Sequence, residues 1–231
     1  MLRLALFASL LAGTALAEPG YFRVTDVASD DTLNVRALPD AHSEDIGDLA
    51  HDQTAVEVID TENNQTYEYT ADVVFLNASA FNSTWILMNS ARDVWDGGLG
   101  SSSGELRFLE PDDIAMIGQS RLPQGLLCSG TEPFWSIRYT GDTALYSDFN
   151  NNSATLPLTD LLTAAGRTGF PALLRHGTGD ATSTAVIRAQ LCSDGMSDRD
   201  YPYAVSLMIE AGKDRILFDG CCQLPLEAGS H

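Results

Sequence analysis

Four acidic residues have the side-chain types that chemistry would need: Glu132 and a cluster of Asp194, Asp198 and Asp200. A dense set of carboxylates can bind a hard cation such as Ca²⁺, although this spacing does not match an EF-hand loop. Glu132 and one aspartate could instead serve as the acid and the base of a glycosidase. In a third interpretation, the aspartates accept hydrogen bonds from N–H groups in a tight turn, and Arg199 pairs with Glu132 or an aspartate. We favour the turn and predict no metal ion and no catalytic residue here.

Aromatic side chains near these carboxylates are compatible with ligand binding. Phe134 and Trp135 are neighbours in a segment with β character, so one should face the core and the other the solvent. An outward ring beside Tyr201 and Tyr203 could bind a sugar ring or an apolar tail. No cofactor is predicted. The predicted binding residues are Glu132, Phe134, Trp135, Asp194, Met196, Asp198 and Tyr201.

The sequence shows no complete set of residues for covalent catalysis. Ser129, Ser136 and Ser197 lie outside any Gly-x-Ser-x-Gly sequence. His176 lies in the sequence Leu174-Arg175-His176-Gly177, which we interpret as a turn, and we expect its ring on the surface rather than in the role of a base. The protein is therefore predicted to be non-catalytic.

The first residues resemble an export signal. Arg3 precedes an apolar run from Leu4 to Leu11, and Ala15-Leu16-Ala17 is a small-x-small cleavage site. We expect residues 1–17 to be a signal peptide, which predicts a periplasmic or secreted protein. Because no cysteine lies near the cleavage site and no later segment approaches about 20 apolar residues, neither a lipid anchor nor a membrane span is expected.

The chain has 231 residues and is strongly acidic, with a formal net charge of −19. Binding to nucleic-acid phosphates needs a basic surface, so that class of function is excluded. Residues 18–118 hold most of the charge, with 20 acidic and 4 basic side chains. We interpret this excess either as a solvated surface or as a docking face for a cationic partner.

Alternating apolar and polar residues predict β-strands along the whole chain. Examples are Leu33–Arg36, Ala55–Ile59 and Phe134–Tyr139, with glycines and Asp or Asn residues between such segments. The segment from Leu158 to Ala165 is the one predicted helical turn, with Thr159 as its N-cap. Two small β-barrels or sandwiches are the simplest architecture.

The first half resembles a bacterial SH3 domain. The resemblance rests on Asp31–Pro39, Ile46–Leu49 and Val56–Val58. It implies a small barrel that binds cell-wall peptides or mediates other contacts. The chain departs from the family pattern in an insertion around 62–81 and in Glu105, which stands where the family has a tryptophan.

The second half carries three landmarks, at Cys128–Ser136, Cys192–Tyr203 and Gly220–Cys222. As a set they resemble an uncharacterised exported bacterial domain that often follows an SH3-like module. The predicted fold is all-β, with a divergent SH3-like small barrel followed by a second, disulfide-linked β-barrel or sandwich. The predicted organisation is a signal peptide at 1–17, an SH3-like domain at 18–111, a linker at 112–121, a disulfide-bonded domain at 122–226 and a tail at 227–231.

Four cysteines in an exported chain predict two disulfides. The absence of a CxxC motif and of suitably spaced histidines argues against a redox site and a zinc site. Adjacent residues of a strand point to opposite faces, so Cys221 and Cys222 need different partners. A hairpin before them would bring Cys221 to Cys192, which leaves Cys128 for Cys222. The alternative pairing, Cys192 with Cys222 and Cys128 with Cys221, stays open.

Three functions are compatible with this sequence. The leading hypothesis is a non-catalytic cell-envelope protein that binds or scaffolds through its SH3-like module, with a cell-wall peptide or a basic envelope protein as partner. The alternatives are a small-ligand carrier or an inhibitor of a basic envelope hydrolase through the C-terminal barrel, and a hydrolase.

Overall fold

The computed structural model describes residues 19–25, 27–36, 44–64, 71–76, 86–89, 105–108, 112–165, 169–197 and 199–225. The predicted signal peptide, Asp198 and the predicted tail at 227–231 lie outside the described residues. Every regular secondary-structure element in these ranges is a β-strand, which confirms the predicted all-β fold. Within the same ranges there is no helix that could cross a lipid bilayer.

Residues 19–108, here the first unit, contain a seven-stranded antiparallel sheet in the order β3-β2-β6-β5-β4-β1-β7. Alternation builds its core, because Leu33 and Val35 are buried while Asn34 between them is exposed. Phe22, Val24 and Val58 complete the centre of this core. The strands are β1 (Gly20–Thr25), β2 (Thr32–Arg36), β3 (Asp45–Ala50), β4 (Val56–Asn64), β5 (Ala71–Leu76), β6 (Ile86–Asn89) and β7 (Glu105–Phe108).

Residues 112–225, here the barrel unit, contain a closed barrel of eight antiparallel strands. Consecutive strands pair as neighbours, and β15 pairs with β8 to close the barrel. This closed barrel confirms the predicted β-barrel in the second half of the chain. The strands are β8 (Leu127–Thr131), β9 (Phe134–Thr140), β10 (Thr143–Asp148), β11 (Ser153–Thr163), β12 (Ala172–Thr178), β13 (Ala181–Ser193), β14 (Asp200–Ala211) and β15 (Asp214–Gln223).

The predicted helical turn from Leu158 to Ala165 is wrong. Residues up to Thr163 belong to β11, where Leu158 pairs with His176 and Thr163 pairs with Ala172. A bulge between Leu158 and Asp160 shifts the register and interrupts the alternation of inward and outward residues. In the sequence, such an interruption resembles the pattern of a helical turn. Pairing with the neighbouring strands outweighs the local helix propensity.

Two disulfides join the barrel strands. Cys128 of β8 is bonded to Cys222 of β15, and Cys192 of β13 is bonded to Cys221 of β15. This is the pairing placed first by the argument that neighbouring side chains of a strand face opposite ways. Cys222 lies in the barrel core, whereas Cys221 faces the outer side, where Cys192 lies.

One end of the barrel is closed by buried side chains from outside its strands, here called the cap. In an antiparallel barrel, the starts of β8 and β12 and the end of β15 lie at the same end. Apolar residues next to these three points pack into the barrel core, together with a tyrosine of the first unit. The cap consists of Tyr21, Ile117, Leu122, Leu126, Phe170 and Leu224.

The segment predicted as a linker takes part in this packing. Met116 and Ile117 are buried in the barrel core, and Met116 forms an isolated bridge with Pro123. Arg23 of β1 also forms a 2.7 Å ion pair with Asp113. The division into two domains joined by a linker at 112–121 remains a prediction.

Residues of the first and third sequence landmarks meet around the indole of Trp135 inside the barrel. A Cβ atom at Gly130 would collide with this ring and with the Asp219 carbonyl oxygen, and a Cβ atom at Gly220 would collide with the Ser129 carbonyl and with the ring. Glycine at both positions therefore makes room for the indole and for the neighbouring backbone. Phe218 stacks on Trp135, with ring centroids 5.5 Å apart. Four landmark residues, Gly130, Trp135, Gly220 and Cys222, therefore serve packing of the barrel wall.

Candidate functional site

The predicted carboxylate cluster is a self-contained turn on the outside of the barrel. Asp194 accepts hydrogen bonds from the N–H groups of Met196 (3.0 Å) and Ser197 (2.8 Å), from the Ser197 hydroxyl (2.9 Å) and from the Tyr201 hydroxyl (3.1 Å). Partial burial acts against ionisation, but these hydrogen bonds hold the pKa of Asp194 below its ordinary value. The structure thus brings Asp194, Met196 and Tyr201 together as the expected turn.

Arg199 has a different partner from the one predicted. Its guanidinium pairs with Glu57 of β4 in the first unit at 3.0 Å, and not with Glu132 or an aspartate. Glu57 is almost fully buried and also accepts a 2.6 Å hydrogen bond from the Tyr21 hydroxyl. The Tyr21 oxygen in turn accepts a hydrogen bond from the backbone N–H of Leu224. We call Tyr21, Glu57 and Arg199 the interface triad.

The other predicted binding residues divide between the two faces of the barrel wall. Trp135 is buried in the core, whereas Phe134 is 56% exposed and Met196 is 65% exposed. Glu132 is exposed in the turn between β8 and β9. Thr131 ties this hairpin to the Asp194 turn, because its hydroxyl donates to the Asp194 carbonyl at 3.0 Å.

The calcium and acid–base interpretations both concern carboxylates on this outer surface. In the described ranges, no group of three or more His, Cys, Asp or Glu residues is placed to hold a metal ion. Desolvation and the nearby charge of Asp194 raise the pKa of Asp200. Asp198, the third carboxylate of the predicted calcium cluster, lies outside the described residues.

A polar group that the sequence did not predict lies inside the barrel. His176 of β12, Ser183 of β13 and Tyr139 of β9 are buried, with exposures of 0%, 1% and 0%. His176 and Ser183 are register partners on adjacent strands, and the rings of His176 and Tyr139 lie 5.3 Å apart. Among the described residues, both imidazole nitrogens and both hydroxyls have no hydrogen-bond partner. We call these three residues the lumen triad.

The interior of the barrel keeps the lumen triad uncharged. Burial lowers the pKa of His176 from 6.5 to about 4, and burial raises the pKa of Tyr139. The expectation that His176 lies in a surface turn is wrong. Leu174–Gly177 belongs to β12, paired on one side with β11 and on the other with β13, so the ring of His176 faces the core.

A row of paired residues leads from the lumen triad towards solvent. His176 pairs with Ser183, Ser183 with Ile209, and Ile209 with Ile216, so all four side chains share the inner face of adjacent strands. Ile209 packs partly against the core, and Ile216 is 52% exposed. We call the end of the barrel opposite the cap, with the turns at 132–133, 149–152, 179–180 and 212–213, the hairpin end.

One signal in the sequence could have found the lumen triad. His176 and Ser183 occupy the same alternating positions as the apolar residues Leu174 and Ala185 of their strands. A polar residue in the inward phase of a strand is unusual because burial of an unpaired polar group costs free energy. Tyr139 joins them from across the barrel, and that contact is visible only once the barrel closes.

Comparison with known proteins leaves the function to be argued from this geometry. The chain matches no family model, no curated protein and no solved structure.

Proposed function

We propose that this protein is an exported, non-catalytic binding protein of the bacterial cell envelope whose C-terminal barrel holds a small ligand. Barrels of eight strands have interiors just wide enough for side chains or for one small molecule. The observation that carries the proposal is the lumen triad, three polar side chains that are buried inside such a barrel and have no hydrogen-bond partner among the described residues.

Free energy favours an occupant for these groups. More than about 90% of buried polar atoms in proteins have a hydrogen-bond partner, and an unpaired one costs about 1–3 kcal/mol. His176 and Ser183 are neighbours on adjacent strands, and the Tyr139 ring lies 5.3 Å from the imidazole, so the three residues that carry the unpartnered atoms are close together. A ligand that donates to and accepts from these atoms would recover this cost on binding, which makes the lumen triad a recognition site.

Export is supported by two independent features. The first 17 residues have the pattern of a signal peptide. The barrel is crosslinked by two disulfides, which form and persist in oxidising compartments such as the periplasm or the extracellular medium. A periplasmic or secreted location is therefore part of the proposal.

Native mass spectrometry of the protein purified from an exporting host tests ligand binding. We expect a species heavier than the polypeptide by the mass of a small molecule, which denaturation releases. The His176→Leu variant should carry less of this molecule, and the matched surface variant Ser136→Ala should carry as much as the wild type. Ser136 is the control because its hydroxyl contacts Ser147 on the exposed outer face. A wild-type protein that carries no small molecule and takes none up from an envelope extract would count against the proposal.

A second candidate function is the binding of a basic partner by the first unit, and the negative charge of this unit favours it. Residues 18–118 carry 20 acidic and 4 basic side chains. The resemblance to SH3 domains suggests a peptide partner, and the charge favours a basic one, such as a basic envelope hydrolase. Such a complex should weaken as salt rises above about 0.15 M, where the Debye length is about 8 Å. Equal binding of the isolated partner at low and high salt would argue against it.

A further inference from the structure

The chemistry of the barrel interior restricts which ligand it can hold. The buried side chains of the described barrel strands include no charged residue, and His176 and Ser183 are the polar ones apart from tyrosines and a tryptophan. An ion in this interior would lose its hydration without gaining an opposite charge, which is unfavourable. This argument selects an uncharged head group.

The hydrogen-bonding capacity of the lumen triad defines that head group further. A neutral imidazole has one donor and one acceptor, and each hydroxyl can donate and accept. A complementary ligand for His176 therefore has both a hydrogen-bond donor and an acceptor. These two groups must be close enough together that the same head group can also bind the hydroxyls of Ser183 and Tyr139. A primary amide or an alcohol has this combination.

The two ends of the barrel indicate where the rest of the ligand lies. The cap closes one end with Tyr21, Phe170 and other apolar side chains, and Phe170 stacks on Tyr203 of β14 with ring centroids 5.2 Å apart. Towards the hairpin end, the inner face continues from Ser183 to Ile209 and to the half-exposed Ile216. Phe134 and Phe149 are exposed at the same end and are linked by a hydrogen bond from the Phe149 N–H to the Phe134 carbonyl.

We infer that the ligand is a small uncharged amphiphile, with an amide or alcohol head at His176, Ser183 and Tyr139 and a short apolar chain that runs along Ile209 and Ile216 to the hairpin end. This inference rests on the proposed function and adds the chemical class and the orientation of the ligand. The chain must be short, because Trp135, Phe218 and Leu207 already occupy much of the interior.

Isothermal titration with a panel of matched amphiphiles tests this class at neutral pH. The probes are octanamide, 1-octanol, octanoate and octylammonium, which share a chain and differ in the head group. Octanamide and 1-octanol should bind at least about tenfold more tightly than the two ions, because each ion would lose its hydration in this interior without gaining an opposite charge. Because the comparison uses the wild-type protein, it does not depend on a variant that must fold.

Two substitutions locate the head and the chain. Ser183→Ala should weaken octanamide binding by about tenfold, and Ser136→Ala should leave it unchanged. Ile216→Asp at the half-exposed rim should weaken the binding of every probe that the wild-type protein binds, while leaving the fold intact.

Tighter binding of octanoate or octylammonium than of octanamide would overturn the uncharged class while leaving a small-ligand carrier in place. A small molecule found in the native protein that is charged would do the same, and a protein that binds no probe and carries no molecule contradicts the proposed function itself.

Discussion

Arg199 of the barrel unit and Glu57 of the first unit form an ion pair of 3.0 Å, although 142 residues separate them in the chain. The pair is not a surface contact, because the Glu57 side chain is only 4% exposed and also binds the hydroxyl of Tyr21. Tyr21 belongs both to this interface triad and to the cap of the barrel. The first unit thus takes part in closing the end of the barrel opposite the proposed ligand entrance.

Loss of the Arg199 guanidinium should destabilise the protein. Arg199→Ala removes the two hydrogen bonds that the guanidinium donates to the buried Glu57 carboxylate, and we expect the free energy of unfolding to fall by about 2–3 kcal/mol. Urea denaturation followed by tryptophan fluorescence measures this change.

Arg215→Ala is the matched control for this substitution. Arg215 pairs with Glu210 at 2.8 Å, but its side chain is 75% exposed. Loss of an exposed pair should change stability by less than about 1 kcal/mol. Equal effects of the two substitutions would mean that the interface triad does not hold the units together.

Acidification should destabilise the barrel through His176. Its pKa is about 4 in the folded protein and 6.5 when exposed, so between these values the unfolded chain binds more protons than the folded one. The contribution of the neutral His176 imidazole to the free energy of unfolding is fully present above pH 6.5. As the pH falls towards 4, this contribution is lost and the free energy of unfolding falls by about 2–3 kcal/mol. Urea denaturation at a series of pH values follows this loss.

His176→Gln should flatten the upper part of this profile, above the range in which carboxylates titrate. His51→Gln is the control, because the His51 side chain is 38% exposed. If the wild type and His176→Gln lose stability in parallel between pH 6.5 and 5, burial of the neutral imidazole is not the cause.

Gly130 should tolerate no side chain while Trp135 is present. A Cβ at this position collides with the indole and, less closely, with the Asp219 carbonyl oxygen, so Gly130→Ala should cost about 1–3 kcal/mol, as overpacking in a core does. The same substitution in a Trp135→Phe background should cost less, because the five-membered ring that it meets is gone. Thermal denaturation of all four proteins gives the coupling energy, and additive effects would exclude this packing as the reason for the glycine.

Removal of the two disulfides should have unequal effects. The Cys128–Cys222 bond spans 94 residues and the Cys192–Cys221 bond spans 29. In the chain-entropy model these loops correspond to about 5 and about 4 kcal/mol, so replacement of Cys128 and Cys222 by Ala should cost more. Non-reducing peptide mapping of the wild type checks the pairing first. A Cys128–Cys192 peptide or free thiols would contradict both the map and the ranking.

Local patterns predicted the strands and the outer turn well. The alternation at Leu33–Val35 predicts which side chains share a face, and at Phe134–Trp135 it predicts that one ring faces the core and the other the solvent, because this depends on neighbouring residues alone. The Asp194 turn is equally local, since its partners lie within seven residues. The argument about opposite faces placed Cys221 and Cys222 with different partners for the same reason.

Contacts made by the closure of the barrel or between the units were not predictable in this way. His176 precedes a glycine and was expected in a turn, and only pairing with β11 and β13 places it inside. Arg199 was assigned to nearby carboxylates because no local pattern points to Glu57, which lies in the other unit. The lumen triad, which carries the proposed function, combines three strands and emerges only from the topology.

The most direct test of the lumen site observes His176 itself during binding. In a protein labelled with ¹⁵N at histidine, titration with octanamide at neutral pH should shift the imidazole resonances of His176 saturably, and the resonances of the exposed His51 should stay in place. The dissociation constant from these shifts should match the one from calorimetry. Saturable binding of octanamide that leaves the His176 resonances unchanged would contradict a ligand site at the lumen triad.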